Sequence, residues 1–103
     1  QFDCTMFGGF TNGKKLSALC ELNHIDIAPH HDCYIHAPLV ASTPSGRIVE
    51  SFDNERDPLQ AELFENPHEM SNGWIYLNEK PGLGLEISDT ALKKFGKLVY
   101  KNK

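Results

Sequence analysis

The run Ile27-Ala28-Pro29-His30-His31-Asp32 constrains this chain more than any other segment: a short apolar stretch stops at a proline and opens onto histidines and an aspartate. Pro29 lacks a main-chain donor, so a strand cannot continue through it in the middle of a sheet. Two other apolar runs end in the same way, Gln1-Phe2-Asp3 upstream and Ile48-Val49-Glu50 downstream. Buried strands that finish in ionisable residues are the pattern of parallel α/β architecture, where side chains at the carboxyl ends of the strands face one mouth. Asp3, His30 and Glu50 are therefore expected to share such a mouth.

The elements between these runs fit that class. Phe2 to Phe7 reads as a strand broken by Gly8-Gly9, with Thr11 or Asn12 as the N-cap of a helix. Leu16, Leu19, Cys20 and Leu22 fall at helical spacing against Lys14, Lys15 and Glu21, so they are expected to form its packed face until it ends near Asn23. His24 to Pro29 is a short buried strand, and Ile35 to Ser42 a brief helix that Pro38 can enter only in its first turn. Thr43-Pro44-Ser45-Gly46 is a turn and Arg47 to Ser51 the next strand. Strand, helix, strand, helix, strand implies parallel pairing through right-handed crossovers.

Beyond residue 52 the texture changes. Asp53 to Pro58 is a charged loop and Leu59 to Phe64 a single helical turn. Glu69-Met70 and Trp74 to Leu77 flank Ser71-Asn72-Gly73, a hairpin by its turn chemistry, with Trp74, Tyr76 and Leu77 expected to build a small core. Lys80 to Gly84 reverses the chain, and Ser88-Asp89 caps a final helix from Thr90 to about Val99. Residues 1–52 thus read as strand-helix turns and 53–103 as loop, hairpin and helix. Three parallel strands cannot shield both faces of a sheet. The chain is expected to be a piece of a larger polypeptide, or to need a partner that supplies the missing strands.

A net charge of -4, with Lys93, Lys94, Lys97, Lys101 and Lys103 gathered at the end, gives no basic footprint for nucleic acid. No apolar run approaches a membrane span, so a soluble, cytoplasmic protein is expected. Cys4, Cys20 and Cys33 are an odd count at irregular spacing, which argues for reduced thiols over a disulfide framework or a thiolate zinc site. Cys20 reads as a core residue, and a reactive Cys33 is the less favoured alternative. The Gly8-Gly9 pair reads as room for a tight turn rather than a phosphate cradle. His30, His31, Asp32 and His36 offer several metal donors, but neighbours on a strand end point to opposite sides, which disfavours a transition-metal site.

Asp3 with Gly8-Gly9-Phe10-Thr11, then Ala28-Pro29-His30, then Ser42-Thr43-Pro44 before Ile48-Val49-Glu50, and finally Lys80 to Glu86, together resemble the C-terminal part of a mandelate racemase-like member of the enolase superfamily. The resemblance implies the last turns of a (β/α) barrel, followed by a hairpin-and-helix tail that packs on a capping domain. It also implies a magnesium-dependent reaction that begins by removing the proton α to a carboxylate. On that pattern Asp3 ends the sixth barrel strand, His30 the seventh and Glu50 the eighth.

His30 suits the base, because an imidazole exchanges protons near neutrality, and a neighbouring Asp3 would orient its ring. Glu50 in its neutral form would donate a hydrogen bond to the enediolate oxygen. His31 and Asp32 are expected to touch hydroxyl groups of a polar substrate, which favours a sugar-acid (aldonate or aldarate) dehydratase. A racemase or isomerase of the same family, a non-catalytic or partner-dependent subunit, and a small His/Asp metal-binding protein are the alternatives. The magnesium ligands of the family sit on the third, fourth and fifth strands and its lysine motif on the second. None of those strands is read in this chain, so these groups are expected outside it, and Lys14 and Lys15, which lie on a helix, are not stand-ins. The complete protein is expected to be a homo-oligomer.

Overall fold

In the computed structural model residues 1–100 are described, so Lys101 and Lys103 of the basic tail lie outside the described residues. In chain order the elements are helix α1 (Gly9–Leu22), α2 (Cys33–Ala41), α3 (Pro58–Glu62), strands β1 (Glu69–Ser71) and β2 (Trp74–Tyr76), and helix α4 (Asp89–Phe95). The three expected parallel strands are extended segments that lie side by side with few mutual bonds. Ile27 N–H donates to the Ser45 carbonyl at 2.8 Å and Arg47 N–H to the Ile27 carbonyl at 3.2 Å, a single parallel bridge between Ile27 and Gly46. His30 N–H donates to the Phe2 carbonyl at 2.8 Å and Glu50 N–H to the Pro29 carbonyl at 3.2 Å.

These bonds set the second and third segments parallel and tie the first to the second, but fall short of a ladder. Pro29 contributes no donor. The chain turns at Asp3, whose carboxylate accepts the Thr5 N–H while Met6 N–H bonds the Asp3 carbonyl, so the strand expected to run on to Phe7 is a turn.

Helix α1 starts earlier than its sequence implies. Gly8, at φ 90°, precedes the first turn, where Thr11 and Asn12 were the expected caps; Asn12 Nδ2 instead donates back to the Phe7 carbonyl. Its packed face also differs from the expected leucine stripe. Gly13 and Ser17 are buried, whereas Leu19 and Leu22 are exposed and Cys20 is only half-buried. The small residues let α1 close on Cys4 and Leu39, and a Cβ at Gly13 would meet Cys4 Sγ at 2.5 Å.

Helix α2 begins two residues before the expected start and carries Pro38 in its interior rather than its first turn, forgoing one helical hydrogen bond. Cys4, Ile27, Cys33, Ala37 and Leu39 form the core beneath α1 and α2, with Ser17 and His36 buried among them. Burial pushes the Cys33 and Cys4 thiols up, which removes the reactive-thiol reading of Cys33.

The second half is a layer of short pieces. Asp57 caps α3 ahead of Pro58. The β1–β2 hairpin pairs Glu69 with Tyr76 and Ser71 with Trp74, and Asn72 and Gly73 take the left-handed conformations its turn requires. Helix α4 is capped by Ser88 as expected, but it stops at Phe95 before Gly96, short of Val99. It packs on α3, with Lys94 bound to Glu62. Trp74, Tyr76 and Leu77 are exposed rather than forming a core, because none of the described residues covers the two-stranded hairpin on that side. The hairpin and the third extended segment border an open groove of about 640 Å³ lined by Val40, Ile48, Val49, Met70, Trp74 and Leu77. No helix among the described residues is long and apolar enough to cross a membrane.

Candidate active site

The hydrogen bonds from His30 to Phe2 and from Glu50 to Pro29 bring the ends of the three extended segments together. At those ends His30 Nε2 lies 3.4 Å from Glu50 Oε2. The same Glu50 oxygen accepts the main-chain N–H of His31 at 3.0 Å, leaving Oε1 unengaged by these two groups. The His30 side chain is 54% exposed and Glu50 33%, so both are open to a small molecule.

Asp3 is held differently from the expected aspartate-histidine pair. Its Oδ1 accepts from Thr5 N at 2.8 Å and from Thr5 Oγ1 at 2.7 Å, and it lies 3.5 Å from His36 Nε2; no hydrogen bond or ion pair joins it to His30 among the described residues. Burial alone would raise the Asp3 carboxyl. The two bonds from Thr5 oppose that effect, and the group sits below the ordinary value of 3.8.

His36 is fully buried and joins both sides of the mouth. Nε2 accepts the Cys4 N–H at 2.9 Å, which requires that nitrogen to carry no proton, so Nδ1 is the donor to the His31 carbonyl at 2.8 Å. A residue that reads in sequence as a spare metal donor is thus a neutral structural tie.

His31 and Asp32, expected to meet substrate hydroxyls, lie at φ 55° and 41°, left-handed values uncommon for residues with a side chain. Both His31 ring nitrogens are taken by protein groups: Nε2 by Asp57 Oδ2 at 2.6 Å and Nδ1 by Asp32 Oδ1 at 3.4 Å. The ring lies 5.2 Å from that of Phe52, which in turn carries the Arg56 guanidinium at 4.3 Å.

The sequence reading missed the Asp57 contact. Asp57-Pro58 does signal a helix cap, but no local pattern reports a partner 26 residues away along the chain. Among the described residues no three His, Cys, Asp or Glu side chains converge on a metal position. The ring nitrogens of His31 and His36 are taken by Asp57, Asp32 and backbone groups, His30 faces Glu50, and the residues present do not fit a magnesium site.

Comparison with known proteins agrees with the fold. The Enolase C-terminal domain-like family model matches residues 1–91. A D-galactonate dehydratase family member from Musicola paradisiaca is 35% identical over 96 residues, covering 85% of this chain and 22% of that protein. A crystal structure of a mandelate racemase/muconate lactonizing enzyme superposes with a TM-score of 0.85 at 28% identity, over 91% of this chain and 26% of that one. The crystal structure of L-talarate dehydratase from Polaromonas sp. JS666, complexed with magnesium and L-glucarate, matches with a TM-score of 0.75 at 31% identity, over 88% of this chain and 24% of that one. The chain therefore spans roughly a quarter or less of the proteins it resembles. With the strand-end geometry and the family match in agreement, the chain belongs to the Enolase C-terminal domain-like family, as the C-terminal part of a mandelate racemase-like member of the enolase superfamily.

Proposed function

We propose that this chain supplies the acid-base half of a sugar-acid dehydratase, with residues 1–52 as the last turns of its barrel and 53–103 as the segment that returns toward a capping domain. The observation that carries the reading is the 3.4 Å approach of His30 Nε2 to Glu50 Oε2 at adjacent, parallel segment ends. His30 takes the proton α to the substrate carboxylate, and the C–H electron pair passes into the carboxylate to give an enediolate. Glu50 donates a hydrogen bond to the enediolate oxygen. The β C–O bond then breaks, the imidazolium returns its proton to the departing hydroxyl as water, and the enol left behind tautomerises to a keto acid.

Asp3 stays ionised beside the two imidazoles and favours the cationic His30 formed midway. Asp32 borders the same mouth and takes a substrate hydroxyl. The reaction requires magnesium, as the L-talarate dehydratase complex holds, and its ligands belong to parts of the protein beyond these residues.

The test is the complete protein with magnesium against a panel of aldonates and aldarates, run in deuterium oxide beside His30→Ala. Loss of water with solvent deuterium at the carbon β to the carboxylate, where the enol takes up a proton on tautomerising, abolished in His30→Ala, is the expected result. Exchange of the α proton without loss of water would establish the racemase alternative, which the mandelate racemase/muconate lactonizing enzyme likeness favours. Turnover that survives His30→Ala would remove the base assignment.

A further inference from the structure

Asp57 lies outside the strand ends, in the loop after the third extended segment, yet its carboxylate has two separate engagements. Oδ1 accepts Gln60 N–H at 3.1 Å and caps α3, while Oδ2 reaches His31 Nε2 at 2.6 Å. The carboxylate is only 14% exposed, so the second contact is shielded from water and from screening ions.

His31 and the residue after it are both left-handed without being glycine, a pairing of conformations that persists only where surrounding contacts over-determine it. Those contacts are Asp57 and Asp32 on the ring nitrogens, Phe52 against the ring and His36 on the carbonyl. In this conformation the His31 N–H reaches Glu50 Oε2, the oxygen nearest His30. The contacts form one relay: Asp57 to the His31 ring, the His31 main chain to Glu50, and Glu50 to His30.

We propose that Asp57 is a positioning residue of this site, holding the His31 ring so that the His31 main-chain N–H fixes the Glu50 carboxylate against His30. This rests on the dehydratase reading for its catalytic consequence, but the relay itself is a structural statement.

Asp57→Ser separates the two engagements, because serine caps a helix nearly as well as aspartate but cannot span to the ring. In the complete magnesium-loaded protein, Asp57→Ser is expected to lower kcat by about 10- to 100-fold, the scale of a misplaced catalytic group, with KM within about twofold. The unfolding midpoint should stay near that of the wild type. Asp57→Asn keeps one acceptor oxygen, which serves His31 only by giving up the cap on Gln60, so it should recover part of the loss in kcat while lowering the unfolding midpoint. The downfield imidazole proton of His31 Nε2–H, visible by proton NMR, should be present in the wild type and Asp57→Asn and absent in Asp57→Ser.

Wild-type kcat in Asp57→Ser overturns the proposal, as does persistence of the His31 proton signal. Equal losses in Asp57→Ser and Asp57→Asn, each with a lowered unfolding midpoint, also overturn it in favour of a purely structural role. If the wild type proves inactive on every sugar acid, the dehydratase reading and the catalytic consequence drawn here fail together, and the NMR signal alone decides whether Asp57 holds His31.

Discussion

His36 Nε2 takes the main-chain N–H of Cys4 at 2.9 Å, and through this one bond a residue of helix α2 fixes the segment end that carries Asp3. The other ring nitrogen holds the His31 carbonyl, so the same imidazole ties Asp3 and the His30–Asp32 loop to one distance. His36→Ala would strand one buried and one part-buried backbone group and leave a cavity. A loss of about 3 kcal/mol is expected, from roughly 1–3 kcal/mol per unsatisfied buried group. Urea unfolding of the complete protein measures it. A loss below about 1 kcal/mol would mean that water or a shifted backbone replaces the ring without difficulty.

Gly13 is needed for contact rather than for backbone freedom. Alanine is the better helix former by about 1 kcal/mol, but its Cβ would press on Cys4 Sγ and stand 3.1 Å from Leu39 Cδ2. Overpacking of this kind costs about 1–3 kcal/mol, so Gly13→Ala is expected to destabilise by about 1 kcal/mol net. Pairing it with Cys4→Ala removes the sulfur, and the double-mutant cycle should then show positive coupling. Additive losses would locate the strain elsewhere.

Glu50 holds the His31 N–H through one oxygen and faces His30 with it. Glutamine keeps the hydrogen-bonding shape but loses the exchangeable carboxyl proton, and alanine loses both. On the proposed reaction Glu50→Gln should retain part of kcat, and Glu50→Ala should lose about 100-fold or more, as removal of an oxyanion donor does. Equal kcat values for the two variants would show that Glu50 contributes only its charge or none of its chemistry.

Much of the order along the chain is readable from local signals. Asn23 ends α1, the Asn72-Gly73 turn makes the hairpin, Ser88 caps α4, and the apolar runs before Asp3, His30 and Glu50 bring these residues to neighbouring ends. What local signals miss depends on long-range contacts. Periodicity assigns Leu19 and Leu22 to the packed face of α1, because it weighs hydrophobicity and not the close approach that Gly13 and Ser17 permit. The strand expected through Phe7 fails because the Asp3 carboxylate competes for the Thr5 N–H. The Asp57–His31 contact joins residues from separate loops, and the buried role of His36 depends on backbone groups that every residue possesses. Composition carries no trace of either.

The last prediction concerns His68, which is 3% exposed beneath Tyr34 and accepts at Nδ1 from Asn78 N–H at 3.4 Å and Asn78 Nδ2 at 3.2 Å. Asn78 Nδ2 also donates to the Gly84 carbonyl, so the ring secures the Lys80–Gly84 reversal to the hairpin. Burial pushes His68 below the ordinary imidazole value of 6.5, and the Leu83 backbone offsets only part of this. The unfolded chain therefore takes up this proton first as pH falls. The stabilisation is fully present above about 6.5 and is lost as pH falls through the folded-state value, with a slope of at most about 1.4 kcal/mol per pH unit. His68→Gln keeps an acceptor for Asn78 without a titrating ring, so the difference in unfolding free energy between wild type and variant should narrow on acidification from pH 7 to 5. A difference that stays constant over that range would show that His68 enters the unfolded and folded chains with the same proton affinity, and that burial here is relieved by solvent.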